Sequence, residues 1–495
     1  MPSYDKINAQ TIAEVLSRSP EAQRVAWGEL AIRKSNDYSE LYKYLVGPLG
    51  SGKAFIEHSD LRISAGNRVV LPLVGGARGG GVQGSGDRIG KEKKLVPKDF
   101  DFKIGRWWDG FAINSVALNE TVIGSKWDRA ASQFLQRNLG IKKTDDMLME
   151  LLLRSNARNT LRPNNKGTRD ALRTADVFGT STVNRGQAVL TSLGAKPVAI
   201  AKSSAGADIR MFTFLGTQFA MESIKNSSSY LEAAYNAEVR GMQNSIFTGD
   251  ISPWNGNAIY SWSVEDPEDL APAGCPLVAR AYVGNAIASG TSAVDIKGGG
   301  GVSNAADTDV QFFGYFSNSP VVGCEGQKRA ADTATERYVA ILNHSGVNAG
   351  KVMYASYKVN SGNKITMFKR LGASVSGDQV TTLGNITWGS ASYGGVALAD
   401  SAHEGALIVE VNSFGVPFGY VLALGEMAGV MGHGSIDGKS AIAKRTEEHR
   451  NHDMDHAIGL ETTFGSRAFE RLDGQVGGYA VVECALPIPG FPTVA

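Results

Sequence analysis

The stretch "GNRVVLPLVGGARGGGVQGSGDRIGKEKKLVPKDFDFKIGRWW", residues 66–108, constrains this chain more than any other part of it. Val69-Val70-Leu71 and Leu73-Val74 read as one strand. The return limb alternates strictly, with Phe100, Phe102 and Ile104 on one face and Asp101 and Lys103 on the other. Pro72 and Pro97 inside the limbs suit edge strands rather than a sheet centre. Between the limbs lies a glycine-rich tip carrying Arg78, Asp87, Arg88, Lys91, Glu92, Lys93 and Lys94. An isolated two-stranded arm is barely stable in water, so something must cover it. Limbs of about ten residues reach about 30 Å, enough to leave one subunit and lie across the next. The expectation is therefore a hairpin without a home in its own monomer, sheltered by an adjacent copy. The seven charged tip residues are the candidate inter-subunit contacts.

The rest of the composition narrows the class. With 495 residues the chain has room for two to four domains. Lys+Arg 50 against Asp+Glu 49 leaves a formal net charge of +1, without the basic excess of a dedicated nucleic-acid binder. A hydrophobic fraction of 42% is not that of a disordered chain. Cys275, Cys324 and Cys484 are odd in number and widely spaced, which fits no disulfide framework or zinc knuckle and points to a reducing compartment. The N-terminal "MPSYDKINAQTIAEVLSRS" has no apolar signal region, and the apolar "VPFGYVLALGEMAGVMG", interrupted by Glu426, falls short of a membrane span. The expectation is a soluble protein with no membrane partner, made and kept inside a cell until release.

Two motifs invite chemistry. Gly47, four residues, then Gly52-Lys53 form the skeleton of a phosphate-binding loop. Ala54, however, stands where a Ser or Thr hydroxyl would ligate Mg²⁺, and "NDYSELYKYLV" before it reads as a capped polar helix rather than a buried strand. Among 59 glycines such a match arises cheaply, and the segment reads as a connection; no cofactor is expected. The second motif is "KRTEEHRNHDMDH", whose spacing places His449, His452 and His456 on one face if the segment is helical. That would make a conceivable metal triad; the plainer reading is a polar, charged segment entering the last domain. No GxSxG, HExxH or Cys–His arrangement is present to make an enzyme or a built-in protease.

Along the chain, residues 1 to about 60 read as short amphipathic helices, with Ile7, Ile12, Val15 and Leu16 in one stripe and Val25, Leu30 and Ile32 in another. Residues 125–155 carry Trp127, Ala131, Phe134, Leu135 and Leu139 at helical spacing. After Gly140 the pattern resumes with Met147, Leu148, Leu151 and Leu152, with Thr144-Asp145-Asp146 suited to a restarted N-terminus. This predicts one long helix or a pair. "YLEAAYNAEVRGMQNSIF" (230–247) is a further helix. From about 263 to 395 the texture turns to Gly, Ser, Thr and Val in short alternating runs, with a hairpin across Ser361 to Lys364. Strand and helix mix again from about 405, and "GGYAVVECAL" reads as a final core strand.

This order of parts resembles the major capsid proteins of tailed bacteriophages with the Hong Kong 97-type shell fold. It is similar most closely to the branch typified by coliphage N-four. The carrying residues are Val69 to Val74 with the glycine-rich tip, the return Gly90-Lys91-Glu92-Lys93-Lys94-Leu95, and "HDMDHAIGLETTFGSRAFERLDGQVGGYAVVECAL" at 452–486. The basic run Lys91 to Lys94 and the length of the 263–395 insertion depart from that pattern. The resemblance implies an α+β Hong Kong 97-like capsid fold, divided here into an N-terminal helical arm (1–65), an E-loop hairpin (66–110) and a P-domain with a spine helix (111–210). A first A-domain part (211–262), a β-rich insertion domain (263–395), a second A-domain part (396–450) and a C-terminal return to the P-domain (451–495) complete it. It also implies a non-enzymatic chain that assembles with itself as hexamers and pentamers of an icosahedral shell, in the host bacterial cytoplasm. Packaged dsDNA would be contacted non-specifically, and scaffolding, portal and decoration or cement proteins are partners such shells use. The competing readings are an encapsulin-like nanocompartment shell and a β-rich phage surface or adhesion protein.

Overall fold

The computed structural model describes Ala31, Ser35 and residues 45–58, 68–74, 97–114, 127–202, 208–235, 252–262, 278–281, 337–342, 352–359, 365–376, 379–385, 406–412, 414–434, 443–450, 455–470 and 477–487. Among the described residues, helical Ala31 and Ser35 precede β1 (Val46–Gly47), β2 (Phe55–His58), β3 (Arg68–Val74), β4 (Pro97–Lys103) and β5 (Gly105–Asn114), followed by the long helix α1 (Trp127–Leu153). Next come β6 (Thr160–Leu161), α2 (Thr180–Ser192), β7 (Val198–Lys202), β8 (Asp208–Thr217), α3 (Gln218–Lys225) and α4 (Ser228–Tyr235). The hairpin of β9 (Ser252–Trp254) and β10 (Asn257–Trp262) turns through Asn255 and Gly256. Both have positive φ, 46° and 75°, which is the geometry that favours Asn-Gly at a two-residue turn. The inserted strands are β11 (Val278–Ala281), β12 (Arg337–Leu342), β13 (Val352–Val359), β14 (Ile365–Ser376), β15 (Gln379–Asn385) and β16 (Ala406–Val411). The chain closes with β17 (Phe418–Leu424), β18 (Gly429–His433), β19 (Ala443–Arg450), β20 (Asp455–Ala468) and β21 (Tyr479–Ala485).

The first sheet runs β1-β2-β18-β20-β19, with β5 on the other edge of β20. β20 is its axis, paired antiparallel with β5 from Asp455↔Asn114 to Phe464↔Gly105. Helix α1 lies against this sheet: Asn138 Nδ2 donates to Asp109 Oδ2 at 2.9 Å, and the Phe111 and Phe134 rings are 6.1 Å apart. Of the two expectations, one long helix or a pair, the first holds: α1 is continuous over 27 residues. The Thr144 hydroxyl turns back to the Gly140 carbonyl at 3.0 Å, a local bond available inside a helix. The buried stripe is as expected at Ala131, Leu135, Leu139, Met147, Leu148, Leu151 and Leu152, but Phe134 is 53% exposed.

The second sheet runs β6-β21-β17-β8-β10-β9, with β7 also on β8. β17 and β21 are buried along their whole length, which is why "FGYVLAL" and "YAVVECA" read as near-continuous apolar runs. Helix α2 packs on β17 and β21, and α3 on β8 and β10. Phe178, Val183, Leu190, Phe214, Met221, Val421 and Val482 form the centre of that core. The inserted strands make a third, antiparallel sheet in the order β11-β16-β12-β13-β14-β15, with the expected hairpin between β13 and β14. It takes in Ala406–Val411, beyond the expected end at 395.

The mixture of strand and helix expected from about 405 needs correction. From residue 405 onward every regular element among the described residues is a strand, with no helix mixed in. β18 and β19, from the 396–450 segment, sit in the sheet that carries α1, whereas β21, from 451–495, sits in the second sheet. The phosphate-loop skeleton leads into strand β2, not a helix. Its carbonyls face inward to other segments: Gly52 O accepts from Ala199 N at 2.8 Å, Lys53 O from Met427 N at 3.1 Å and Ala54 O from Ala428 N at 2.7 Å. A phosphate cradle needs converging N–H groups at a helix start; this loop is a seam between three chain segments.

Candidate functional site

β3 and β4 pair alone as a two-stranded sheet, in register from Arg68↔Lys103 to Val74↔Pro97. Its alternation is the one read from the sequence: Phe100, Phe102 and Ile104 are buried, while Asp99 and Lys103 are exposed and Asp101 half-buried. The shelter differs from the expectation. Those three side chains pack on Ile56 and Val430, with Met427 and Phe469 at the margin, all in the same chain. The root of the hairpin therefore has a home in its own monomer, supplied by β2, β18 and the segment after β20. On the opposite face Val70 is 48% exposed.

Charged side chains tie this root to α1. The Arg467 guanidinium donates to the Asp101 carbonyl oxygen and to Glu470 Oε1, each at 2.7 Å, and lies 5.5 Å from the centre of the Phe100 ring. Glu470 also faces Arg154 at 3.6 Å, and Arg154 Nε donates to Glu150 Oε1 at 2.9 Å. Burial pushes the Glu150 carboxyl above its ordinary range, with Arg154 opposing. Beside it the buried Tyr479 hydroxyl donates to the Leu151 carbonyl at 2.8 Å, linking α1 to the last strand of the second sheet.

A second ionic centre lies on the second sheet. Arg162 donates to Glu483 Oε2 at 2.7 Å, and Arg169 Nη2 donates to Oε1 at 3.0 Å and to the Tyr420 hydroxyl at 3.1 Å. The Arg169 guanidinium also covers Phe418, 4.6 Å from the ring centre. Burial would raise the Glu483 carboxyl, but Arg169 and Arg162 outweigh it and hold the group below its ordinary value. Close by, Asn412 fixes the return from the inserted sheet. Its Nδ2 donates to the Leu172 carbonyl at 2.8 Å, and its Oδ1 accepts from the Phe414 and Val416 amides at 3.0 Å each.

Arg78, Asp87, Arg88, Lys91, Glu92, Lys93 and Lys94 lie outside the described residues, as do His452, Cys275 and Cys324. His449 and His456 are not on a helix. They stand opposite one another on the antiparallel strands β19 and β20, so the helical spacing behind the metal triad does not apply. Among the described residues no group of three metal-ligating side chains occurs. Cys484 is a buried free thiol, pushed up to about 12 by burial. The sequence reading missed Glu483 and Arg467. For Glu483 a signal existed: a single acid inside the apolar "YAVVECA" must find cations when buried. For Arg467 the nearby Glu470 was visible, but its bond to a backbone carbonyl 366 residues away was not.

No protein-family model and no curated protein matches the chain. Solved structures do. The capsid of Ralstonia phage GP4 is similar at 12% identity over 91% of this chain and 92% of that one, with a TM-score of 0.50. The capsid asymmetric unit of cyanophage Pam1 is similar at 12% identity over 92% and 93%, with a TM-score of 0.50. The chain thus has the α+β shell fold of the Hong Kong 97 type, as found in tailed-phage capsids. The likeness runs over nearly the whole length of both chains rather than over one domain.

Proposed function

We propose that this chain is a major capsid protein that self-assembles into the icosahedral shell enclosing packaged phage dsDNA. The observation that carries the reading is the fold match over nine-tenths of both chains to two phage capsid structures. The hairpin supports it, because Val70 on its outer face is exposed beside Arg68 and Lys103. In this reading the sheet carrying α1 is the peripheral domain, the second sheet the axial domain, and the third sheet the insertion. The hairpin tip, with Arg78, Asp87, Arg88, Lys91, Glu92, Lys93 and Lys94, reaches a neighbour within hexamers and pentamers. Single rim ion pairs contribute little, roughly 0–1 kcal/mol, but a closed shell repeats each one many times. A net charge of +1 suits a wall that must hold DNA without gripping its phosphates. The chain would reside in the virion after assembly in the host cytoplasm, with scaffolding, portal and decoration proteins as partners. The role is structural, with no catalytic step.

Electron microscopy of the expressed protein tests the reading. Closed icosahedral particles are expected, and fibres or small oligomers alone would overturn it. Deleting residues 76–92 is expected to leave a folded monomer that forms no closed shells; normal shells from that variant would remove the arm from the mechanism. Nuclease-protected dsDNA in particles from infected cells separates a capsid from a nanocompartment that holds protein cargo.

A further inference from the structure

β4 and β5 are nearly one strand, broken only at Ile104, where the hairpin leaves the first sheet. Ile104 is 5% exposed and sits over two positions that lack side chains. A Cβ on Gly434 would collide with Ile104 Cδ1, and a Cβ on Gly465 would lie 2.5 Å from the Lys103 carbonyl oxygen and 3.0 Å from Ile104 Cα. Gly434 is itself held by donating its N–H to the Thr463 carbonyl at 2.9 Å. Two residues beyond Gly465, Arg467 grips the Asp101 carbonyl and covers Phe100. Through Glu470 and Arg154 the same guanidinium is connected to α1.

We infer that these residues form a knuckle that sets the angle of the hairpin: Ile104 turns in the gap left by Gly434 and Gly465, and Arg467 is the latch that holds one setting. The gap accepts the backbone closely because no side chain fills it. The latch is a charge-assisted bond to a backbone carbonyl, which can part and re-form without any side chain leaving the core. Arg467 is thus a positioning residue for assembly. It fixes where the tip points before a neighbour is met, and it can yield when the shell changes curvature. The β3–β4 ladder itself runs in register from Arg68↔Lys103 to Val74↔Pro97 and can move as a unit.

The inference rests on the container reading only where shells are counted, so the test has two readouts on the full chain. Hydrogen exchange is followed on unassembled protein, and particle shape is followed by electron microscopy. Arg467→Met keeps the apolar cover of Phe100 and removes the latch. Exchange in β3 and β4 is expected to rise roughly tenfold, with β17 and β21 unchanged. An unchanged hairpin, or an equal rise in β17 and β21, would overturn the latch. Gly434→Ala is expected to unseat Ile104 and give misshapen or open particles. Adding Ile104→Val deletes the colliding δ-methyl and is expected to restore closed ones. A harmless Gly434→Ala, or a double variant no better than the single one, would overturn the knuckle. If the unaltered chain forms no particles at all, the capsid reading fails, while the exchange experiment still decides on the latch.

Discussion

Glu483 and Glu150 are both buried carboxylates facing arginine, yet their surroundings push them in opposite directions. On the second sheet, Arg162 and Arg169 both reach Glu483 and, against the effect of burial, hold its pKa below the ordinary 4.5. On α1, Glu150 is 1% exposed and bonded to Arg154, and burial still wins, raising it above 4.5. The second sheet gives its carboxylate two arginine partners and closes around it with β17 and β21 buried throughout. The α1 side carries Lys143, Asp146 and Glu150 on its buried face and shares its arginines with the hairpin root. One region is built as a fixed block and the other as a joint.

The largest test of that contrast is a pair of truncations. Phe214→Ala empties a fully buried site in the second sheet and is expected to cost about 3–5 kcal/mol in denaturant unfolding. Phe100→Ala at the hairpin root is expected to fall at the low end, about 3 kcal/mol, because β4 can settle into the space. Equal losses would erase the distinction between block and joint.

Glu483→Gln comes next. It leaves two arginines facing a neutral amide and is expected to destabilise by about 3 kcal/mol at pH 7. Because the folded carboxyl titrates below 4.5, its contribution is present above that value and lost as pH falls through the folded one. Unfolding curves of variant and parent should therefore converge in acid. Glu150→Gln is expected to have the opposite sign, a gain of up to about 1 kcal/mol at pH 7. With the folded carboxyl raised, the parent is penalised above its folded titration and relieved as pH falls toward 4.5. Loss of stability in Glu150→Gln at neutral pH would show that the Arg154 pair outweighs burial after all. The smallest effect belongs to Arg68→Ala. Its pair with Asp101 is 60% and 36% exposed, and a change under about 0.5 kcal/mol is expected by thermal melting.

What could be read in the sequence was what repeats over short distances. Period-two alternation placed Phe100, Phe102 and Ile104 on one face, and helical spacing found α1, the β13–β14 hairpin being marked by its turn. What escaped was decided by distant segments. β2 pairs in parallel with β18, more than three hundred residues later, and the hydrophobic face of β4 is covered from there. The sequence showed that the face needed cover and could not say that its own chain supplied some of it. His449 and His456 fit a helical spacing as well as a strand one; the long partner β5 drew their segment into the sheet. The seven charged tip residues remain a proposal about a neighbour.

The pairing of β8 has a consequence for the insertion. β10 runs parallel to β8 and ends with Trp262 beside Thr217, whereas β17 runs antiparallel and enters from that same end. The outgoing and returning chain therefore stand on one rim of the sheet, with a single strand between them, about 10 Å apart. Three or four residues would bridge that distance. A short linker would therefore close this rim in place of the inserted sheet, provided that Val411, which is buried in the core of the second sheet, is kept.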